Sequence, residues 1–233
     1  MQYGKTVTGR FLSRPNRFIA HVEIDGTDTV CHVKNTGRCK ELLTPGAKVV
    51  LEVCENPARK TAFDLIAVYK GDLLINMDSQ SPNKAFGEWA ATSGFFGAHP
   101  KVTAERTYGA SRFDFFIEKE DGEKIFVEVK GVTLEQDGIY RFPDAPTGRG
   151  AKHMKELASA LREGYTAMVF FVAQAENCRC FLPNEKTDPA FAAALRESAR
   201  QGVQVYCVNC LVTEDTMNIF EFIPAILEGG SQL

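Results

Sequence analysis

The sequence predicts an α/β protein built in two parts. Short segments of alternating polarity fill residues 1 to 80, and helical spacing begins only at about residue 81. Residues 167 to 173 (Ala-Met-Val-Phe-Phe-Val-Ala) are almost wholly apolar, as expected of a strand inside a sheet covered on both faces. A small β-domain over 1–80 and an α/β domain with a mixed sheet over 81–233 follow. With 233 residues, 44% of them apolar, each part has material for its own core.

The first part reads as five strands, at 6–12, 18–24 (turning at Asp25-Gly26), 29–33, 48–53 and 63–69. A short helical piece near 38–43 is stopped by Thr44-Pro45-Gly46. Five strands of this length suit a small barrel, or equally a fragment of a β-sandwich. In the second part Ser81 caps a helix begun by Pro82 and reaching Trp89. A hairpin follows, and then a helix over 150–163 ended by Gly164, with Met154, Leu157, Ala158 and Leu161 at core spacing. After the apolar strand come a helix over 189–200, ended by Gly202, and a strand over 203–208.

The hairpin carries the chemistry. Ser111-Arg-Phe-Asp-Phe-Phe and Phe126-Val-Glu-Val-Lys are joined through Lys119-Glu-Asp-Gly-Glu123. A two-residue Asp121-Gly122 turn would put Asp114 and Glu128 on opposite faces. A three-residue loop, Glu120 to Gly122 with Gly122 left-handed, sets Asp114 directly opposite Glu128. The side-chain pattern favours the second register. It gathers Phe113, Phe115, Ile117, Ile125, Val127 and Val129 on a buried face, and Arg112, Asp114, Glu118, Lys124, Glu128 and Lys130 on a charged one.

Two facing carboxylates can hold Mg²⁺ or Mn²⁺, hard cations that prefer oxygen ligands and keep several waters. Lys130, on the same side as Glu128, would position or help deprotonate an attacking water or stabilise charge developing on phosphate. Asp, Glu and Lys in this order make the minimal set for metal-dependent phosphodiester cleavage. The plainer alternative is a surface hairpin with cross-strand ion pairs.

Further segments accompany the hairpin: His32-Val-Lys-Asn-Thr-Gly-Arg38 with Glu41-Leu-Leu, Val132-Thr-Leu, Phe142-Pro-Asp-Ala, Arg149-Gly and Lys152-His. Together they resemble the sugar fermentation stimulation protein family, SfsA, over nearly the whole chain. The resemblance implies an N-terminal OB-like barrel, a C-terminal PD-(D/E)XK nuclease-like domain and DNA binding without marked sequence preference. It puts the nuclease Asp at Asp114, the Glu-x-Lys at Glu128 and Lys130, and a helical acidic residue at Glu88. Arg112, Arg149, Lys152 and His153 would stand beside the metal, where cations and a helix N-terminus suit phosphate. Taken alone, His153 reads as an exposed helix residue and Lys152 as a partner of Glu156. Asn35 to Arg38 becomes a nucleic-acid or interdomain contact. The chain departs from the family's usual pattern in a longer link over 76–82, in Lys34 and Cys39, in Gly131 where Ser is usual and in Gly148 where Glu is usual.

Charge gives no global pull toward nucleic acid: 27 basic and 30 acidic residues leave a formal charge of −3. Up to residue 80 there are 11 basic and 9 acidic residues, so a basic patch must be local. Arg10, Arg14, Arg17, Lys34, Arg38, Lys40, Arg59 and Lys60, interleaved with Phe11, Phe18 and Phe63, are its candidates, in the way OB barrels combine stacking with phosphate contacts. A solvated face is the alternative.

Seven cysteines, an odd set, and an N-terminus without an apolar stretch predict reduced thiols in the cytoplasm. Cys178, Cys180, Cys207 and Cys210 could supply zinc thiolates, but Cys207 continues an apolar run and reads as core. No segment has the length of a membrane span, and no Gly-rich phosphate loop points to a nucleotide cofactor. Three readings follow: a metal-dependent nuclease acting on DNA or RNA, a nonenzymatic DNA-binding regulator of sugar metabolism genes, and a hydrolase of another phosphate compound.

Overall fold

The computed structural model describes residues 1–35 and 37–228. Five strands, β1 (Thr6–Ser13), β2 (Ile19–Ile24), β3 (Thr27–Val33), β4 (Lys48–Val53) and β5 (Phe63–Lys70), run in the order β3-β2-β1-β4-β5. Parallel pairing of β3 with β5 (His32 with Asp64, Val33 with Leu65) closes them into a barrel. β6 (Leu73–Asn76) adds an edge and leads out of the barrel. Residues 38–43 form a single turn rather than a helix, with the Leu42 and Leu43 amides both donating to the Cys39 carbonyl.

The second part is a six-stranded mixed sheet, ordered β15-β14-β12-β9-β8-β7. Its strands are β7 (Lys101–Tyr108), β8 (Ser111–Glu118), β9 (Lys124–Val132), β12 (Thr166–Ala173), β14 (Gln204–Val212) and β15 (Met217–Ile223). A small sheet of β10 (Leu134–Gln136), β11 (Ile139–Phe142) and β13 (Cys180–Pro183) sits beside it. β9, β12 and β14 are parallel and central, and β12 is buried along nearly its whole length, as its apolar run predicts. The edge strands β7 and β15 and the small sheet carry no clean alternation of their own in the sequence.

Helix α1 (Ser81–Thr92) covers one face, its Ala85, Phe86 and Ala90 packing on Phe115, Ile117, Val127 and Phe170. Helices α2 (Gly148–Arg162) and α3 (Pro189–Arg200) cover the other, bringing Met154, Leu157, Phe191 and Leu195 against Phe126 and Phe171. The caps follow local chemistry. The Thr147 hydroxyl accepts from the Gly150 amide and the Asp188 carboxylate from the Phe191 amide. Ser81, expected as a cap, instead turns its hydroxyl to Asn76 and the Asp78 carbonyl, and Gln80 takes the N-cap position.

A buried polar seam joins barrel and sheet. Asp78 is fully buried, accepting from the Gln80 amide (2.9 Å) and the Tyr3 hydroxyl (3.3 Å) and pairing with Lys34 (3.0 Å). Gln174 reaches across to the Asn76 and Asp78 carbonyls. Burial lowers the proton affinity of Lys34, but Asp78 and Glu52 outweigh it and hold its pKa above the ordinary lysine value.

Candidate active site

The hairpin takes the three-residue loop. Gly122 sits at φ 88°, its amide donating to the Lys119 carbonyl, and the Lys119 amide donates to the Glu123 carbonyl. The β8–β9 ladder runs from Glu118 with Lys124 to Phe115 with Val127 and stops there. The ladder stops one step short of Asp114 and Glu128, whose carboxylates are nonetheless near enough for the charge of Glu128 to act on Asp114.

The sorting of the two faces is different from expectation. Phe116 and Phe126 are nearly buried on the face assigned to charge, and Phe113 packs with them rather than with Phe115 and Ile117. Covering helices on both faces keep the middle of the hairpin apolar and leave charges at its two ends, Glu118 and Lys124 by the turn and Asp114, Glu128 and Lys130 at the other. The backbone changes course there: the β7–β8 ladder skips Glu105 and Asp114, and Glu105 has φ 57°. Freed from both neighbours, β8 uses the Asp114 side chain as its link. Asp114 Oδ2 accepts from the Val129 amide and Oδ1 from Asn83 Nδ2, each at 2.8 Å.

Glu128 is 2% exposed. Its Oε1 receives both the Lys130 ammonium and the His153 Nδ1. Arg149 Nε donates to His153 Nε2 at 3.3 Å, so the ring proton lies on Nδ1 and is given to Glu128. Glu128 Oε2 is buried with no hydrogen-bond partner among the described residues. Burial and the charge of Glu128 push the Asp114 carboxyl above the ordinary Asp value. Burial would do the same to Glu128, but His153 and Lys130 outweigh it and hold its carboxyl below the ordinary Glu value.

The residues present fit a hard divalent cation. Two carboxylates converge, one offers an oxygen with no donor, and water with substrate oxygens would complete the shell. Among the described residues no third acidic, His or Cys ligand joins them into a larger metal cluster.

Glu88 is not part of this group. Its carboxylate pairs with the Met1 ammonium at 2.7 Å, and that ammonium also donates to the Met217 carbonyl on β15, the edge strand remote from β8. α1 contributes Asn83 instead, a residue without a distinctive sequence signal. His153 is also reassigned: at 3% exposure it cannot touch a nucleic-acid strand and instead orients Glu128. Its spacing from Arg149, four residues on one helix face, was the available clue. Arg149 and Lys152 lie exposed near the N-terminus of α2, Lys152 reaching the Ala110 carbonyl (3.3 Å) and Glu156 (3.6 Å). Arg112 is exposed and pairs with Glu105 at 3.3 Å.

On the barrel the expected basic patch divides. Arg14 is consumed internally, donating to the carbonyls of Arg17, Asn35, Gly37 and Arg38. Lys34 is committed to Asp78 and Glu52, and Asn35 to the Met77 carbonyl and the Gly37 amide, so these three are not available to a ligand as first expected. Thr36, within the same motif, lies outside the described residues. Arg17, Arg38 and Lys40 stay exposed around a cavity of about 630 Å³ floored by Phe11 and Leu43. The four cysteines considered for zinc are buried free thiols, the Cys210 thiol pushed up by burial to about 12.

Comparison with known proteins decides the family. Residues 12–77 match the family described as the SfsA N-terminal OB domain, and residues 80–216 match the sugar fermentation stimulation protein RE domain. The chain belongs to the SfsA family. A sugar fermentation stimulation protein homolog of Desulfitobacterium hafniense (strain Y51) is 51% identical over 230 residues, covering 99% of this chain and all of that one. The homolog of Clostridium beijerinckii is 50% identical over 227 residues, covering 97% of this chain and 100% of its own. Among solved structures, Pyrococcus furiosus SfsA in complex with Ca²⁺ is 27% identical, with a TM-score of 0.87 over 97% of this chain and 98% of that one. This SfsA chain therefore joins an N-terminal OB barrel to a C-terminal RE domain, an α/β unit built on a mixed sheet. Among the described residues no helix is long and apolar enough to cross a membrane.

Proposed function

We propose that this protein is a nuclease that cleaves phosphodiester bonds of DNA or RNA with Mg²⁺ or Mn²⁺. The observation that carries the reading is the approach of Asp114 to a buried Glu128 whose Oε2 has no partner among the described residues, where the β8–β9 ladder stops and the β7–β8 ladder misses one pair. Asp114 and Glu128 would hold the cation, and a structure of the P. furiosus relative in complex with Ca²⁺ supports an oxygen-ligand site in this fold. A bound divalent cation supplies Lewis-acid polarisation of the phosphate and a lowered pKa for a coordinated water.

The chain's own residues do the rest. Asn83 and the Val129 amide fix the Asp114 carboxylate, and His153 fixes Glu128. The Lys130 ammonium, anchored on Glu128 Oε1, orients the attacking water and offsets charge that grows on the phosphate. Arg149 and Lys152 at the start of α2 would bind flanking phosphates, and Arg17 and Arg38 would continue that track over the barrel.

The test incubates labelled single- and double-stranded DNA and RNA with Mg²⁺, Mn²⁺ or EDTA, with Lys130→Ala beside the wild type. Metal-dependent cleavage that falls about 10²- to 10³-fold in the variant is the expected result. Cleavage at an unchanged rate in Lys130→Ala removes that role. A second reading is a nonenzymatic DNA-binding regulator, favoured by the exposed Arg17, Arg38 and Lys40 around the barrel cavity. Under it, gel-shift affinity survives loss of Asp114 and Glu128, and no metal supports cleavage.

A further inference from the structure

We propose that a second cavity, of about 260 Å³ at the carboxyl ends of β9 and β12, takes up a single unpaired nucleobase, so that the substrate must present an unstacked nucleotide. The inference rests on the nuclease reading and narrows its substrate class.

Position is the first argument. The cavity wall includes residues 131 to 134, the segment directly after Lys130, and Gln174, directly after β12. Ligands of sheets with parallel strands gather at such carboxyl ends. A phosphate held at Glu128 and Lys130 therefore has its own nucleoside within reach of this cavity.

The lining is the second. Phe142 is half-buried, its ring backed by Phe171 at 5.7 Å and Phe191 at 5.1 Å between centroids. A ring braced from behind with part of its surface on a cavity is a stacking platform, and a base of any identity offers a π-face to it. Arg141 and Asp144 also line the cavity, and neither makes a side-chain hydrogen bond or ion pair among the described residues. Gln174 is only 2% exposed; its Nε2 bonds to the Asn76 and Asp78 carbonyls, whereas its Oε1 accepts nothing among the described residues. Gly131 leaves that oxygen its place, because a Cβ there would collide with Gln174 Oε1 and with Pro82. A donor guanidinium, an acceptor carboxylate and an acceptor amide beside one aromatic ring match the mixed donor and acceptor edge of a base.

Size is the third. The volume falls below the roughly 300–1,000 Å³ of sites for drug-sized ligands and suits one planar heterocycle. A base still paired in a duplex cannot enter it. The larger cavity with Arg17, Arg38 and Lys40 shares Gly37 with this one, which gives the backbone of a single strand a cationic exit over the barrel.

The experiment measures fluorescence anisotropy in Ca²⁺ with labelled oligonucleotides of one sequence: a blunt duplex, the single strand, and single strands with one abasic nucleotide moved along the chain. The full-length protein is compared with an Arg141→Ala/Asp144→Ala double variant whose fold is checked by circular dichroism. The single strand should bind more tightly than the duplex. One abasic position should weaken it by about 5- to 100-fold, the range of one lost base stack. In the double variant that penalty should shrink several-fold. If duplex and single strand bind alike and no abasic position matters, the base cavity is wrong while the nuclease reading stands. An abasic penalty unchanged in the double variant places the base elsewhere and also overturns it. Absence of binding to every oligonucleotide removes both.

Discussion

Two aspartates on strands, Asp64 in the barrel and Asp114 in the mixed sheet, show opposite ways of burying a carboxylate. Asp64 on β5 is 4% exposed and accepts two hydrogen bonds from Arg59, at 2.6 and 2.8 Å, and one from His32 Nδ1 at 2.9 Å. Burial alone would raise its pKa, but Arg59 and His32 outweigh it, and the carboxyl lies below the ordinary value. Asp114 has only neutral donors, Asn83 and the Val129 amide, and the negative Glu128 across from it. The barrel supplies the countercharge for its aspartate within its own fold. The sheet leaves negative charge short of a partner, which is a cost that a site accepts when an outside cation is to complete it.

The largest effect that sharpens this contrast belongs to the seam. Lys34→Met should destabilise the protein by about 3–5 kcal/mol in urea denaturation, because it strands the fully buried Asp78 without its cation. A cost under about 1 kcal/mol would mean that the seam is not held by charge. Next, Asp64→Ala should cost about 3 kcal/mol, the lower end for breaking a buried pair, since Arg59 is about a third exposed and can be rehydrated.

The pH response of Asp64 follows from its depressed carboxyl. The unfolded chain binds the proton at the ordinary value of 3.8, and the folded protein only at lower pH. Its contribution is thus fully present above about 3.8 and is lost as pH falls through the lower folded value. Denaturation midpoints of wild type and Asp64→Asn should converge on acidification below that window. Curves that stay parallel would show that the pairing with Arg59 and His32 does not titrate with folding.

Much of this architecture is legible because the signals are local. The bounds of β4 and α3 and the loop with Gly122 follow from a short apolar run, from Pro189 at one end and Gly202 beyond the other, and from a glycine that takes φ 88° without strain. The loop then fixed the register of the hairpin, which needs only a count along two strands, and brought Asp114 near Glu128 although the ladder itself stops one pair earlier. What could not be read was decided by contacts distant in the chain. Glu88 goes to Met1, Lys34 to Asp78, Arg14 to four carbonyls and His153 to Glu128, and in each case the partner that the fold brings up, not residue type, sets the role. The family resemblance identified the family, but it could not tell a cation that faces solvent from one absorbed by the fold.

The smallest stability change should come from Asp114→Asn, and it is the decisive one. The substitution removes the repulsion of Glu128, which is stabilising, and turns an acceptor into a donor facing either Asn83 or the Val129 amide, which costs about 1 kcal/mol. The two terms oppose, so the net change in EDTA should stay within about 1 kcal/mol of zero, against about 3 for the aspartate of the barrel. Divalent cation then separates the proteins. A ligand at about 100 times its dissociation constant stabilises a folded state by about 2.7 kcal/mol, so Mn²⁺ or Ca²⁺ should raise the melting temperature of the wild type and leave Asp114→Asn unmoved. An Asp114→Asn protein destabilised in EDTA as strongly as Asp64→Ala would place Asp114 among the structural carboxylates, and the two aspartates would no longer differ in kind.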